Sequence, residues 1–274
     1  MLKCHQSQQI ILTSYFLMKA KFILLGTGSS MGVPRPDGFF GKCNSKNKKN
    51  YRTRCSALIS YNSKNILIDT SPDLRHQLLS QKINSIDCVL YTHMHADQTH
   101  GINDLRVFYL KKQKKIPVYC DKMTAKYLYE NFTYCFVKKY DYPAMLNLKP
   151  IKKSFLLKTK DNKIKINTIK VKHGLINSIA YIIDNKIAYV SDANQFYKKN
   201  YNYFKGLKYL IIDCLRIKKH PSHFNLEDVI KIVNQLKPKK TILTNLHSDL
   251  DYNHLLKILP NNIIPGYDGL SINF

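Results

Sequence analysis

Tryptophan is absent from this 274-residue sequence, and no apolar run approaches the roughly 20 residues that a membrane-spanning helix needs. The first 17 residues also lack the long apolar core and the small-residue cleavage site of a signal peptide. No Gly/Ser-rich linker interrupts the chain. The sequence therefore predicts a cytoplasmic protein without a membrane partner. We expect a disordered extension at 1–17 and one folded domain at 18–274.

Paired cysteine spacings are also missing. The seven cysteines are an odd number and are scattered along the chain, which predicts reduced thiols in the cytosol rather than a disulfide framework. Cys43 and Cys55 do not form a C-x-x-C pair, so a structural zinc knuckle is not expected.

Acidic residues are scarce, because 18 Asp and Glu stand against 44 Lys and Arg, giving a formal net charge of +26. An excess of this size is compatible with a polyanionic partner such as nucleic acid. The lysines are nevertheless spread over the whole chain together with abundant Asn, Ile and Tyr, which favours solvated lysine faces that reflect a coding bias. Local clusters at 42–49, 111–115 and 237–240 agree with an anionic, phosphate-bearing substrate.

Short apolar segments between polar residues predict β-strands along most of the chain. Helical patterns lie between some of these strands, at 72–81, 122–134 and 224–236. Strand pairs mixed with helices, in a chain without a linker, predict an α/β fold with two β-sheets.

His and Asp residues repeatedly follow the predicted strands. Loop side chains at strand ends can be held by a rigid scaffold at a common rim. The residues in question are Asp69, His93, His95, His173, Asp192, Asp213 and His247. This repetition predicts a metal site.

The strongest local signal is His93-x-His95-x-Asp97, which places three ligand-type side chains at alternating positions after a strand. All three can therefore point the same way. Imidazole nitrogen suits zinc, iron or manganese, and a carboxylate balances the charge of a dication.

At these residues the chain resembles the metallo-β-lactamase superfamily, whose hallmark is Thr-His-x-His-x-Asp-His. The resemblance extends from about Phe22 to the C-terminus. It implies a four-layer αββα sandwich, with two mixed β-sheets flanked by helices, and two divalent metal ions, Zn or Mn. The metal ligands that it implies are His93, His95, Asp97, His173, Asp192 and His247, with Asp192 bridging the two ions.

Two positions depart from this pattern. Gln98 stands where the superfamily has a histidine directly after the aspartate, which predicts a weak second metal site. Relatives often carry the late ligand directly after Leu-Thr, where this chain has Asn245, whereas His247 comes two residues later. Asn245 and His247 both remain candidates for the late ligand.

Within the superfamily, the phosphodiesterase branch is the most similar. It includes the phosphoribosyl cyclic phosphate phosphodiesterase and the transfer-RNA 3′-processing ribonuclease. The motifs that carry this resemblance lie at 25–30, 32–34, 52–56 and 104–106. The cyclic phosphodiesterase has an additional cysteine-bound zinc near its N-terminus, where this chain has only Cys43, so the chain is a relative of that enzyme.

The resemblance implies a hydrolase that cleaves a cyclic or short nucleotide-like phosphodiester by metal-bound hydroxide. Asp97 and His223 are the expected catalytic residues. His223 falls where the branch places a histidine that protonates the leaving group, and His220 is the fallback for this role.

Three arginines, Arg52, Arg54 and Arg106, are expected either to bind substrate phosphate or to form structural ion pairs. An RNA-processing nuclease stays an alternative; the charge favours it, but the chain lacks a long Gly/Pro-rich arm to grip RNA. A non-catalytic nucleic-acid-binding module on the same scaffold is the other alternative. A homodimer is also compatible with the sequence.

Overall fold

The computed structural model describes residues 20–158 and 163–274, so the extension expected at 1–17 lies outside the described residues. The strands are β1 (Ala20–Gly26), β2 (Ser56–Tyr61), β3 (Lys64–Ile68), β4 (Cys88–Leu90), β5 (Ile116–Cys120), β6 (Leu146–Pro150), β7 (Ser154–Lys158), β8 (Lys163–His173), β9 (Ile176–Ile183), β10 (Ile187–Val190), β11 (Gln195–Phe196), β12 (Tyr209–Asp213), β13 (Lys240–Thr244), β14 (Ile263–Pro265) and β15 (Ser271–Asn273). The helices are α1 (Leu74–Ser80), α2 (Ala96–Thr99), α3 (Arg106–Lys112), α4 (Lys122–Asn131), α5 (Thr133–Phe136), α6 (Leu226–Leu236) and α7 (Tyr252–Ile258). Short 3₁₀ helices lie at Lys48–Asn50, Ile102–Leu105 and Lys198–Phe204. In the two described ranges, no helix combines the length and the apolar character needed to cross a membrane.

The strands of the described ranges form two β-sheets, and each sheet contains both parallel and antiparallel pairs. The first sheet has the order β15-β1-β2-β3-β4-β5-β6, in which β3 to β6 run parallel. The second has the order β11-β8-β9-β10-β12-β13-β14, with β7 also paired to β8. In this sheet β10, β12, β13 and β14 run parallel. The predicted α/β class with two mixed sheets is confirmed.

Alternating side chains along the strands explain how the layers pack. In β1, Phe22 and Leu24 lie in the apolar core between the sheets, where the Phe22 ring lies 5.5 Å from the ring of Tyr189 in β10. Ile23 and Leu25 point to the opposite face, into the core that α1, α3 and α4 cover. Helices α6 and α7 cover the outer face of the second sheet. The order of layers is therefore helix, sheet, sheet, helix, which confirms the expected αββα sandwich.

The parallel strands decide where polar side chains collect. Carboxyl ends of parallel strands lie at the same edge of a sheet, and in α/β folds this edge is where ligands bind. Strand β8 is antiparallel to β9, which is antiparallel to β10, so the carboxyl end of β8 lies at this edge as well. The residues at or within three positions of these ends, in β3, β4, β8, β10, β12 and β13, include Asp69, His93, His173, Asp192, Asp213 and Asn245. Both sheets therefore deliver ligand-type side chains to one rim.

Asp268 ties the end of the chain to two earlier loop segments. Its Oδ1 accepts hydrogen bonds from the amide and the hydroxyl of Thr27 at 2.9 and 2.8 Å. Its Oδ2 accepts from the amide and the hydroxyl of Thr53 at 2.7 and 2.6 Å. Gly26 passes so close that a Cβ there would lie 2.0 Å from the carbonyl oxygen of Arg54. One carboxylate therefore fixes both segments against the last strand.

Replacing Asp268 with asparagine should destabilise the fold. An asparagine offers one acceptor oxygen and an amide that would face donors, so about two of the four hydrogen bonds are lost and their donors stay unpartnered. We expect the free energy of unfolding to fall by about 2–4 kcal/mol, measured by urea unfolding. The control Asp37→Asn, in an exposed pair with Arg35, should leave the unfolding midpoint unchanged. An unchanged midpoint in Asp268→Asn would mean that the link does not stabilise the protein.

Candidate metal centre

Three histidine side chains converge at the rim. Nε2 of His93 lies 3.0 Å from Nδ1 of His95, and Nε2 of His173 lies 3.3 Å from the same atom. In a tetrahedral zinc site with Zn–N distances of about 2.0–2.1 Å, neighbouring ligand atoms lie about 3.3 Å apart. The three nitrogens therefore have the spacing that one divalent ion requires. His93 and His173 are buried and His95 is exposed, so the cluster opens to solvent on one side.

Hydrogen bonds to the opposite ring nitrogens orient two of these imidazoles. The hydroxyl and the amide of Thr92 donate hydrogen bonds to the carboxylate of Asp69, a residue with a left-handed backbone. The oxygen of the same hydroxyl lies 3.0 Å from Nδ1 of His93. Nδ1 of His173 donates to the carbonyl oxygen of Ser222 at 2.7 Å. A neutral imidazole that donates through Nδ1 keeps its lone pair on Nε2, which is the nitrogen that faces the cluster.

The histidines of the cluster are held in their neutral form. Burial lowers the pKa of His93 to about 3. Burial is also the main cause that lowers the pKa of His95 and of His173, and a neighbouring histidine adds to it in each case. At neutral pH the three rings therefore present lone pairs rather than protons, as metal ligands must.

Two carboxylates lie beside the histidines, and amide side chains link them. Nε2 of Gln98 lies 3.3 Å from Oδ2 of Asp97 and 3.3 Å from Oδ2 of Asp192. Nδ2 of Asn245 lies 3.2 Å from Oδ1 of Asp192. Burial, and then repulsion by Asp192, raises the pKa of Asp97 to about 6. Asp192 also forms a second group of closely spaced ligand atoms with His173 and His223.

His223 is paired with a buried carboxylate. Its Nδ1 lies 2.7 Å from Oδ2 of Asp213, which also accepts a hydrogen bond from the amide of Ala193. Burial alone would lower the pKa of His223, but the carboxylates of Asp213, Asp192 and Asp97 outweigh it and raise the pKa to about 9. Because Nδ1 is engaged, Nε2 is the nitrogen left to meet a substrate.

The structure does not bring His247 to this cluster. Its Nδ1 lies 2.9 Å from Oδ1 of Asp249, and no group of closely spaced ligand atoms in the described residues includes it. Asn245 follows β13 with a left-handed backbone, φ 60°, and places its amide against Asp192. The structure therefore leaves His247, one of the two candidates for the late ligand, outside the cluster, and the chain turns at Asn245, whose amide lies at the rim.

Arg52 lies buried away from the rim. It is 2% exposed, and its guanidinium donates to the carbonyl oxygen of Leu250 at 2.8 Å and to the side-chain oxygen of Asn50 at 3.2 Å. A guanidinium enclosed in this way joins two segments of the chain and does not reach a substrate. Of the two roles expected for Arg52, these contacts favour the structural one.

Arg54 and Arg106 have different surroundings. Arg54 is 24% exposed and contacts Asp73 at 3.0 Å, and its charge opposes the rise in the pKa of Asp97. The guanidinium of Arg106 stacks over the ring of Tyr142 at 4.4 Å. Arg54 is thus the arginine whose charge acts on the cluster, while Arg106 packs on an aromatic ring.

Asp213 was predicted only as one of the strand-end residues of a metal site, and the contact of the Ser222 carbonyl was not predicted. Asp213 ends a strand in the same way as the proposed ligands, so a signal for it was present. No side-chain pattern marks Ser222, because it acts through its backbone.

Comparison with known proteins gives consistent results. The sequence model of the β-lactamase superfamily domain matches residues 64–245. A diphosphatase of the PhnP family, known from its crystal structure, is 30% identical with a TM-score of 0.85. That alignment covers 94% of this chain and 98% of the diphosphatase.

Two further proteins are similar. The short form of human tRNase Z is 14% identical with a TM-score of 0.65, over 92% of this chain and 98% of that protein, a likeness that shows the fold alone. An octanoyltransferase of Porphyromonas gingivalis is 34% identical over 254 residues, 90% of this chain. This chain spans about half of that relative, since the match covers 50% of its length.

Removing one imidazole of the cluster should abolish tight metal binding. Loss of a group that merely supports a metal ligand weakens binding about 10–100-fold, so His173→Ala should weaken Zn²⁺ binding by more than about 100-fold. Competition with a chromophoric chelator on metal-free protein measures this. His100→Ala is the control, because the His100 ring packs on Phe132 at 5.3 Å, and it should bind Zn²⁺ as the parent does. Parent-like binding in His173→Ala would rule out this cluster as the metal site.

Proposed function

This chain belongs to the metallo-β-lactamase superfamily, in its phosphodiesterase branch, and is a hydrolase of that fold; within this family we propose that it is a metal-dependent phosphodiesterase. Its substrate would be a cyclic or short nucleotide-like phosphodiester. The PhnP-family diphosphatase, similar over nearly all of both chains, supports a phosphate-bearing substrate.

The observation that carries the proposal is the pair of His223 and Asp213 beside the histidine cluster. The ring of His223 lies 4.7 Å from that of His173, so a proton donor stands next to the metal ligands. The 2.7 Å contact with Asp213 fixes the orientation of this donor. Cleavage of an unactivated phosphodiester requires protonation of the departing alkoxide, and a positioned acid contributes typically 10²–10⁴-fold in rate.

His93, His95 and His173 would hold the ion, and Asp192 would complete its surroundings. Their nitrogen and oxygen donors suit Zn²⁺ or Mn²⁺. When bound, the ion supplies a Lewis acid for the phosphoryl oxygens and lowers the pKa of a nucleophilic water. The carboxylate of Asp97, half-buried beside this group, orients that water and accepts its proton.

On the substrate side, Nε2 of His223 donates a proton to the leaving oxygen, and Asp213 stabilises the imidazolium before the transfer. Arg54 binds a substrate phosphate oxygen, since its charge acts on this side of the rim.

We also infer that 18–274 forms one hydrolase domain. The six cysteines of the described residues are free and buried, which supports a cytoplasmic location.

His223→Ala should slow hydrolysis according to the leaving group. For a phosphodiester with an alkoxide leaving group, we expect kcat to fall about 10²–10⁴-fold. For a nitrophenyl ester the fall should be much smaller, because nitrophenolate leaves without protonation. Steady-state rates on both substrates, with metal content measured on the same samples, give the comparison.

The matched control is His220→Ala, which removes a ring 5.1 Å from His223 that does not contact Asp213 in the structure. It should affect both substrates alike and only slightly. Equal losses on both substrates in His223→Ala would contradict the general-acid role. Full activity of chelator-stripped protein would contradict metal-dependent hydrolysis altogether.

A structured-RNA nuclease is the second candidate, and one surface favours it. A cleft of 990 Å³ along β7 and β8 is lined by lysines and tyrosines, with no acidic residue among the described residues that line it. The basic and aromatic lining residues are Lys152, Lys153, Lys165, Lys170, Lys199, Tyr197 and Tyr203. Basic grooves with aromatic side chains bind single-stranded nucleic acid through phosphate contacts and base stacking.

Salt dependence of RNA binding separates the two candidates. The cleft variant is Lys152→Gln/Lys170→Gln/Lys199→Gln, and its equally charged control is Lys111→Gln/Lys114→Gln/Lys115→Gln. If the cleft binds RNA, the slope of log K against log salt should flatten by about 2 in the cleft variant and stay unchanged in the control. Fluorescence anisotropy with an RNA hairpin measures both slopes. Equal, small changes of the slope in both variants would argue against RNA binding in the cleft and leave the small phosphodiester as the proposed substrate.

A further inference from the structure

On the basis of the metal-dependent function above, we propose that the amide side chains of Gln98 and Asn245 replace a second metal ion. The centre then works with one ion, held by His93, His95 and His173. This differs from the two ions expected from the sequence. Both positions where the superfamily resemblance leads one to expect a second-site histidine carry an amide in this chain, and both amides contact the same carboxylate.

The orientation of Asn245 is fixed by a backbone group. Its Nδ2 lies 3.2 Å from the carbonyl oxygen of Ser191 and 3.2 Å from Oδ1 of Asp192. Both partners are acceptors, so the amide must present its NH₂ group to them. Turning the amide over would place its oxygen against two other oxygens. Asn245 therefore acts on Asp192 as a hydrogen-bond donor and offers no oxygen to a cation at that point.

Gln98 lies between the two carboxylates. Its Nε2 is 3.3 Å from one oxygen of Asp97 and 3.3 Å from one oxygen of Asp192. The two N–H groups of a carboxamide can each donate a hydrogen bond to one carboxylate. The amide can therefore link the two carboxylates as a bridging cation would, but it carries no charge. Gln98 is fully buried, so these contacts are shielded from water. Its Oε1 has no hydrogen-bond partner, which is consistent with the NH₂ group being the end that is anchored.

Too few donors remain for a second ion. Asp97 and one oxygen of Asp192 could reach it, while Nδ1 of His247 is engaged by Asp249. His223 lies close to Asp192 and His173, but its Nδ1 is held by Asp213 and its Nε2 is the nitrogen assigned above to the substrate, and His173 belongs to the first ion. Catalytic zinc sites have three protein ligands, so two carboxylate oxygens fall short. The amides thus satisfy both carboxylates and leave the first ion alone at the centre.

The count of bound ions tests this directly. Metal-free full-length protein is titrated calorimetrically with Zn²⁺ and, separately, with Mn²⁺, and elemental analysis follows on desalted samples. We expect one equivalent in the parent and two in Gln98→His/Asn245→His, where both imidazoles are supplied. The control His247→Gln, outside the cluster, should keep one equivalent.

The possible results are distinguishable. Two equivalents in the parent, or one fewer in His247→Gln than in the parent, would overturn the replacement by amides and leave the phosphodiesterase proposal standing. No bound ion in the parent would overturn both. If the double variant does not fold, electron paramagnetic resonance of the Mn²⁺-loaded parent decides: an isolated-ion spectrum supports the single-ion centre, and the spectrum of an exchange-coupled pair refutes it.

Discussion

The hydrogen bonds that join the two sheets at the end of β4 are the constraint on which the metal centre depends. The amide of Ile179 in β9 donates to the carbonyl oxygen of Thr92 at 2.9 Å, and the hydroxyl of Tyr181 donates to the carbonyl oxygen of Tyr91 at 2.6 Å. These bonds fix the segment before His93 against the second sheet. Because β9 pairs with β8, which ends at His173, the same contacts bring the histidines of one sheet to the histidine of the other.

Burial then decides what these groups can do. Desolvation disfavours the charged form of each ring, so the clustered histidines are neutral donors. His223 is only 15% exposed as well, yet it is stabilised as a cation because a carboxylate contacts it at 2.7 Å. One region of low dielectric therefore contains neutral imidazoles and, next to them, an imidazole that carries a proton. Asp213, with Asp192 and Asp97 farther away, makes this difference, so the proposed metal ligation and proton donation can coexist within one cluster.

The sequence predicted the features that depend on local residue patterns. The alternation of His93, His95 and Asp97 after a strand, and the layered α/β fold, follow from spacing and periodicity. The residue at the late position of the rim could not be predicted in this way, because the left-handed turn at Asn245 decides which side chain lies there. The two roles open to Arg52 could not be separated for a related reason: its enclosure by a segment about 200 residues away is a tertiary contact that its neighbours in sequence do not reveal.

Replacing imidazoles by amides changes the electrostatics of the carboxylates in a specific way. An imidazole beside Asp97 and Asp192 offers one donor nitrogen at most when neutral, so two adjacent carboxylates would need a cation between them to offset their repulsion. A carboxamide offers two N–H groups and serves both carboxylates without a cation. The pKa of Asp97, raised by burial and by Asp192, still places this carboxyl where it can exchange a proton near neutral pH. The proposed single-ion centre fits this donor set, because the amides hold both carboxylates by hydrogen bonds and leave Asp97 without a metal to neutralise it.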